Sequence, residues 1–274
     1  MSGIELTLRQ RYEGLLDASP LLPERLLTMS LSEIEHTKLQ VGGRICAVGD
    51  LFSVVSTDSA CLSVQGPVMS SCRWGHEMTS GHLIVECDVG EEAGLLMRGG
   101  VLEIRGHAGS RLGCGLRNGR IHVSGNAGDY VGSPPIGQRR GMRGGVVVIE
   151  GNAGQRLGDC MRRGTLIVHG NAGDFAAARM IAGTIAICGE VGMQTGALMR
   201  RGTLWAPRLQ PESIASNFTE GQRVQVPHLA LWYRWLAALD ARFSDWPCHR
   251  TYAQRWLGDR AVHGLGELLS PALS

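Results

Sequence analysis

Gly151-Asn-Ala-Gly154-Gln-Arg-Leu-Gly158-Asp-Cys-Met161-Arg-Arg-Gly164-Thr-Leu-Ile-Val-His169 is followed at once by Gly170-Asn-Ala-Gly173, and the pattern begins again. The same opening, Gly-(Asn/His)-Ala-Gly, stands at Gly106, Gly125, Gly151 and Gly170, with a weaker version at Gly189. Successive starts lie 19, 26, 19 and 19 residues apart, so one copy carries seven extra residues, Ser133 to Arg139. Stepping back by 19 reaches Cys87 and Val68, degenerate starts that keep the internal glycines Gly94/Gly100 and Gly75/Gly81. About seven copies therefore cover residues 66–205.

Each copy closes on a glycine thirteen positions after its start: Gly81, Gly100, Gly119, Gly145, Gly164, Gly183 and Gly202. An alternating run follows, with Leu83/Val85, Leu102/Ile104, Ile121/Val123, Val147/Ile149, Leu166/Val168 and Ile185/Ile187 at its alternate positions. All are aliphatic. A period of two inside a fixed longer period predicts a β-solenoid, in which each coil's strand pairs with the same strand of the next coil. One coil cannot bury its apolar face alone, so stacking supplies the core. The first-position glycines Gly106, Gly125, Gly151, Gly170 and Gly189 are expected at structural corners, where φ is positive or backbones approach closely. Asn126, Asn152 and Asn171 beside them tolerate the left-handed region and can stack as an amide ladder.

Two further columns run through the copies. Met78, Met97, Leu116, Met142, Met161, Met180 and Met199 share one position and are expected to line the interior, where methionine fills irregular space. At the next position stand Arg98, Arg117, Arg143, Arg162 and Arg200, interrupted by Thr79 and Ile181. Guanidinium groups stacked about 5 Å apart repel unless paired or screened. The column reads either as a solvated face with neighbouring acids, or as a stripe that docks a partner or an anion, because the guanidinium fork matches carboxylates.

Composition bounds the rest. Glycine is 39 of 274 residues, about twice the ordinary share, without a Gly-X-Y period, and 43% hydrophobic content excludes wholesale disorder. A net charge of +2 argues for neither nucleic acid nor an anionic membrane. The longest apolar stretch, Leu229 to Leu239, is too short to span a bilayer, and residues 1–10 show no signal-peptide core. The expectation is a cytoplasmic protein. Its eight cysteines, including Cys248, show no Cys-x-x-Cys pair and read as free, mostly buried thiols. No compact ligand set for zinc or iron–sulfur appears.

The ends do not repeat. Residues 1–65 are read as an N-terminal strand and cap: Ile4, Leu6 and Leu8 alternate, and Ser30-Leu-Ser-Glu-Ile-Glu35 looks like a helix start. Residues 206–274 form a separate extension, with helical spacing from His228 to Asp240. Five of six tryptophans lie at or beyond Trp205, and Trp232 and Trp235 are candidates for a terminal cap or for a docking surface. Catalytic signatures are missing: no Walker A run, no His-Glu-x-x-His, no Gly-x-Ser-x-Gly, no carboxylate pair. Gly113-Cys-Gly-Leu-Arg-Asn-Gly119 mimics a phosphate loop but belongs to the repeat, and a 19-residue period does not fit the hexapeptide β-helices of acyltransferases. The residues alone point to a structural or interaction subunit with no catalytic residues.

The coils with their Met-Arg-x-Gly landmark resemble the right-handed β-helix domain at the C-terminus of glutamate synthase. The flanks narrow this. Ser30-Leu-Ser-Glu-Ile34, Val41-Gly-Gly-Arg44, Gly49-Asp-Leu-Phe52, Arg140-Gly-Met-Arg-Gly-Gly145, Gly258-Asp-Arg-Ala-Val262 and Gly264-Leu-Gly-Glu267 resemble the C subunit of formylmethanofuran dehydrogenase over nearly the whole chain. The resemblance implies an all-β, right-handed parallel β-helix of about seven coils, with an N-terminal cap and a partly helical C-terminal extension. It implies a scaffold subunit among sister subunits of a hetero-oligomer, with no cofactor of its own. The methanofuran-like carrier and any metal belong to the sisters. Two settings follow: a bacterial formyltransferase/hydrolase complex, which moves formyl from tetrahydromethanopterin to the carrier and hydrolyses it to formate, or a molybdenum or tungsten formylmethanofuran dehydrogenase. Lys38 is the only lysine beside 26 arginines, a bias of GC-rich genomes that favours the bacterial setting. A stand-alone glutamate-synthase-type subunit is the further alternative. The family's carrier bears glutamates, so the arginine column is expected to meet either a partner's acids or that anionic tail.

Overall fold

The computed structural model describes residues 3–227, 229–243 and 252–271; His228, Trp246 and Cys248 lie outside the described residues. The fold is mostly β and is dominated by one 13-stranded sheet. Its centre is an all-parallel run in chain order: Leu62–Gln65, His82–Val85, Val101–Ile104, Arg120–Val123, Arg143–Ile149, Arg163–Val168, Thr184–Ile187 and Thr203–Trp205. Register follows the repeat. Leu83 faces Leu102, then Ile121, Val147, Leu166, Ile185 and Leu204 in turn. The inward-pointing aliphatics of both columns, from Leu83 and Val85 to Ile185 and Ile187, are fully buried, and so is the entire methionine column. The expected interior is the observed one.

A second line of parallel bridges joins Val89, Ala108, Ala127, Ala153, Ala172 and Val191. A third set of bonds ties the turns together: the amides of Gly94, Gly113, Gly132, Gly158, Ala177 and Gly196 each donate to a carbonyl of the preceding copy. Every copy is thus bonded to its neighbours along its length, which satisfies its backbone without antiparallel hairpins.

The glycines divide into two kinds. Those seven and thirteen positions into each copy take positive φ, as at Gly158 (70°) and Gly164 (101°). Gly106, Gly125, Gly151, Gly170 and Gly189 do not; they sit at bends where a Cβ would run into the side chain of the neighbouring copy, Asn126 Oδ1 in the case of Gly151. Close approach, not φ, selects glycine there. The asparagines also correct the expectation. None is left-handed. Each side chain accepts from a backbone amide one copy on: Asn152 N–H donates to Asn126 Oδ1, Asn171 N–H to Asn152 Oδ1 and Glu190 N–H to Asn171 Oδ1, all at 2.8 Å. His107 and Asp88 continue this ladder in the earlier copies.

The sheet continues past residues 66 and 205. Gly3–Leu8 lies parallel to Leu62–Gln65 and antiparallel to Phe52–Thr57. Gly266–Pro271 adds in parallel to Thr203–Trp205, followed antiparallel by Tyr252–Gly258 and Gln222–Gln225. The short helix Leu31–Glu35 starts at a Ser30 capping box with Glu33, as the sequence indicates. The C-terminal helix Leu229–Leu239 buries Leu229, Tyr233 and Leu236. Leu236 packs with Phe243 on Val148, Ile167 and Ala186, the outward residues of three neighbouring strands. Those strands read as near-continuous apolar runs because both their faces are covered.

Candidate docking face

The arginine column is aligned by the backbone itself. The amides of Arg98, Arg117, Arg143, Arg162, Ile181 and Arg200 each donate to the carbonyl of the Met-column residue one copy earlier, at 2.7–2.8 Å. Side chains that follow the buried methionines therefore emerge on one edge of the stack. Their surroundings differ along it. Arg98 pairs with Glu77 at 2.8 Å, and that bond holds the Glu77 carboxyl below the usual range. Arg143 donates to Gln138 Oε1 at 3.3 Å. Arg117, Arg162 and Arg200 have no ion pair among the described residues and are exposed.

The seven inserted residues emerge at this same edge. The structure moves the insert one residue on from the sequence reading, to 134–140: Ser133 stays bonded to its neighbours, accepting from Gly115 N–H, the chain turns at Pro135 to Gln138, and it returns at Gly141, whose N–H donates to Cys160 O. It brings Arg139 and Arg140 beside Arg162, Arg179 and Arg200 around a cleft of about 530 Å³. Ile181, Leu198 and Val262 supply apolar lining to the same cleft. Of the five guanidinium groups, only Arg179 has a carboxylate partner among the described residues: its Nε donates to Asp159 Oδ1 at 2.8 Å, and its Nη2 pairs with Oδ2. That bond raises the Arg179 pKa, while burial pushes the neighbouring Cys160 thiol up. Asp159 is fully buried beneath the cleft and also faces Arg156, which lies 4.8 Å over the Phe175 ring. Asp159 thus offsets one of the five cations and leaves the other four without a carboxylate partner among the described residues. The sequence does not point to Arg139, Arg140 or Arg179 as members of this face; the one signal it offers is that the insertion falls beside the arginine column in the repeat.

Trp232 and Trp235 part company. Trp232 is half-buried and sits 5.9 Å from Trp205 and 5.8 Å from Tyr233, packed on the strand stack. Trp235 is 41% exposed on the outer side of the helix, near Leu231. The helix is held by a polar clasp: His169 Nε2 lies 2.6 Å from Asp240 Oδ2, and Arg242 bridges Asp240 to Glu150. Cys188 Sγ lies 3.7 Å from His169 Nδ1, which superficially resembles a Cys-His-Asp array. Burial pushes the thiol up to about 11, the opposite of an activated nucleophile.

The glycine-rich stretch at Gly113–Gly119 is no phosphate cradle. The amides of Gly113, Cys114, Gly115, Leu116 and Arg117 are all bonded to carbonyls. The seven described cysteines are unpaired thiols. No group of three His, Cys, Asp or Glu side chains among the described residues is placed to hold a metal, and no helix among them is long and apolar enough to cross a membrane.

No family model matches the sequence. Curated relatives do. The C subunit of the tungsten-containing formylmethanofuran dehydrogenase 2 of Methanothermobacter marburgensis is 34% identical over 94 residues, and that of Methanothermobacter wolfeii 33% over the same length. These matches cover 32% of this chain and 35% of each relative, about a third of the relatives' length. The structural comparison extends to nearly the full chain. A chain in the crystal structure of the formyltransferase/hydrolase complex (FhcABCD) from Methylorubrum extorquens, in complex with methylofuran, superimposes with a TM-score of 0.85 at 34% identity. It covers 98% of this chain and 100% of that one. The chain belongs to the same family as that chain of the formyltransferase/hydrolase complex, and it is homologous to the formylmethanofuran dehydrogenase C subunits. The likeness thus takes in both non-repeating ends together with the repeat.

Proposed function

We propose that this protein is the C subunit of a formyltransferase/hydrolase complex, built together with sister subunits into a hetero-oligomer. The observation that carries this reading is the full-length likeness to a chain of the Methylorubrum extorquens complex. In this reading the complex transfers formyl from tetrahydromethanopterin to a methanofuran-like carrier and releases formate. The sister subunits hold the carrier and any metal, and this chain is their non-catalytic scaffold. The copies are proposed to wind as a right-handed parallel β-helix of about seven coils over residues 66–205, closed by residues 1–65 and 206–274. The constant register and the three inter-copy bonding lines support that winding. A rigid stack suits a scaffold, because nearest-neighbour contacts hold each coil in place. The proposed location is the cytoplasm.

A second reading is the C subunit of a tungsten or molybdenum formylmethanofuran dehydrogenase, favoured by the names of the curated relatives. The arginine edge would then meet a different set of partners. Co-expression of the sister subunits with and without this chain tests the scaffold role. Native mass measurement should find a complete complex only when the chain is present. A complete, active complex formed without it would refute the scaffold assignment.

A further inference from the structure

We infer that the arginine cleft docks an extended acidic segment of a partner polypeptide, one that carries an apolar side chain between its carboxylates. The inference rests on the scaffold reading above and specifies which surface it uses. Arg139, Arg140, Arg162 and Arg200 line the cleft with no ion pair among the described residues, and all four are exposed. Like charges at such spacing raise one another's free energy until anions arrive, so the cleft is poised for a polyanion. Arg162 and Arg200 stand two copies apart, about 10 Å along the stack, and a compact monoanion does not reach both. An extended chain does, since alternate side chains recur every 6–7 Å or so.

Ile181 selects the chemistry. It occupies the arginine position of the intervening copy, between Arg162 and Arg200, and Leu198 and Val262 add to the apolar lining of the same cleft. Leu198 is 44% exposed, an uncovered aliphatic at the rim. A ligand of carboxylates alone leaves that lining wet. A peptide with acids flanking an aliphatic or aromatic residue covers it, and burying it adds a contact that salt does not screen. Guanidinium forks meanwhile fix the carboxylates in register. Asp159 already pairs with Arg179, and the remaining arginines are left for the partner.

The test uses the assembled complex. A photo-crosslinking residue, p-benzoylphenylalanine, is placed at Leu198, and separately at Val262 as a second vantage. The complex is irradiated and the adduct mapped by mass spectrometry. The expected adduct is a sister-subunit segment with at least two Asp or Glu residues within about four positions of an apolar one. In parallel, Arg162→Gln with Arg200→Gln should weaken association at least about tenfold at low salt and flatten its salt dependence. Arg98→Gln, whose parent side chain is already paired with Glu77, should change it little. An adduct with a carboxylate-bearing carrier, an adduct with a segment lacking acids, or no adduct in an intact complex overturns the inference. Failure of the unmodified chain to assemble with any partner removes the scaffold reading itself, and the inference with it.

Discussion

Replacing Gly164 with alanine tests the physical basis of the repeat at a single atom. Gly164 holds φ at 101°, and a Cβ there would sit 2.7 Å from Met142 Cε and 2.9 Å from both the carbonyl carbon and the oxygen of Gly144. The left-handed backbone costs an L-residue about 1–2 kcal/mol. Forcing a methyl against backbone that cannot yield adds roughly 1–3 kcal/mol. The stiffer unfolded chain offsets about 0.4–1 kcal/mol. The net expectation is a destabilisation of about 1–5 kcal/mol. Ala177 is the internal control. It takes φ of 58° where other copies place glycine, and it is fully buried. Ala177→Gly relieves about 1–2 kcal/mol of strain but loses a buried methyl, about 0.8 kcal/mol, and gains chain entropy in the unfolded state. Its effect should lie within about 1 kcal/mol of zero. Urea unfolding with unchanged m values reads both. A Gly164→Ala protein as stable as the parent to within about 0.5 kcal/mol would refute the argument that these positions select glycine.

Met161, fully buried in its column, should cost about 2–5 kcal/mol as Met161→Ala and under about 1.5 kcal/mol as Met161→Leu in the same assay. Burial works against the Asp240 carboxylate, but the Arg242 amide, His169 and the Arg242 side chain together hold its pKa below the ordinary aspartate value. Its contribution is therefore present above about pH 4 and lost as pH falls below that, and Asp240→Asn should flatten the stability profile between about pH 5 and 3. Burial pushes the Cys114 thiol up to about 12, so it should resist alkylation in the native protein at pH 8 and react on unfolding; rapid labelling of Cys114 in the folded state would contradict its placement.

The stack is legible in the sequence because its cause is local and repeated. The twelve aliphatic positions and the methionine column each state their burial once per copy. What the sequence hides depends on neighbours in space. The fifth residue after each start is left-handed in Arg111, Tyr130, Arg156 and Phe175, residues with no shared propensity for it. The bonds from their amides to the next copy impose that conformation: Arg156 N–H donates to Asp174 O, and Phe175 N–H to Met193 O. Likewise, alternation in Ile4, Leu6 and Leu8 announces a strand but not that Leu62–Gln65 is its parallel partner. The apolar outward residues Val148, Ile167 and Ala186 are a visible sign of a cover, yet the covering helix lies some sixty residues or more away in sequence for two of them. The arginine column is readable, but the contribution of the insertion to the same edge depends on which side of the stack the loop emerges.

Native affinity purification of the chain from its source organism, with mass spectrometry of its partners and pterin analysis of the eluate, tests the central claim most directly. A formyltransferase subunit and an amidohydrolase-like subunit, without molybdopterin or tungstopterin, are the predicted partners. A pterin-bearing redox subunit with iron–sulfur partners would move the chain to the dehydrogenase. Recovery with glutamate-synthase subunits, or alone, would contradict the assignment.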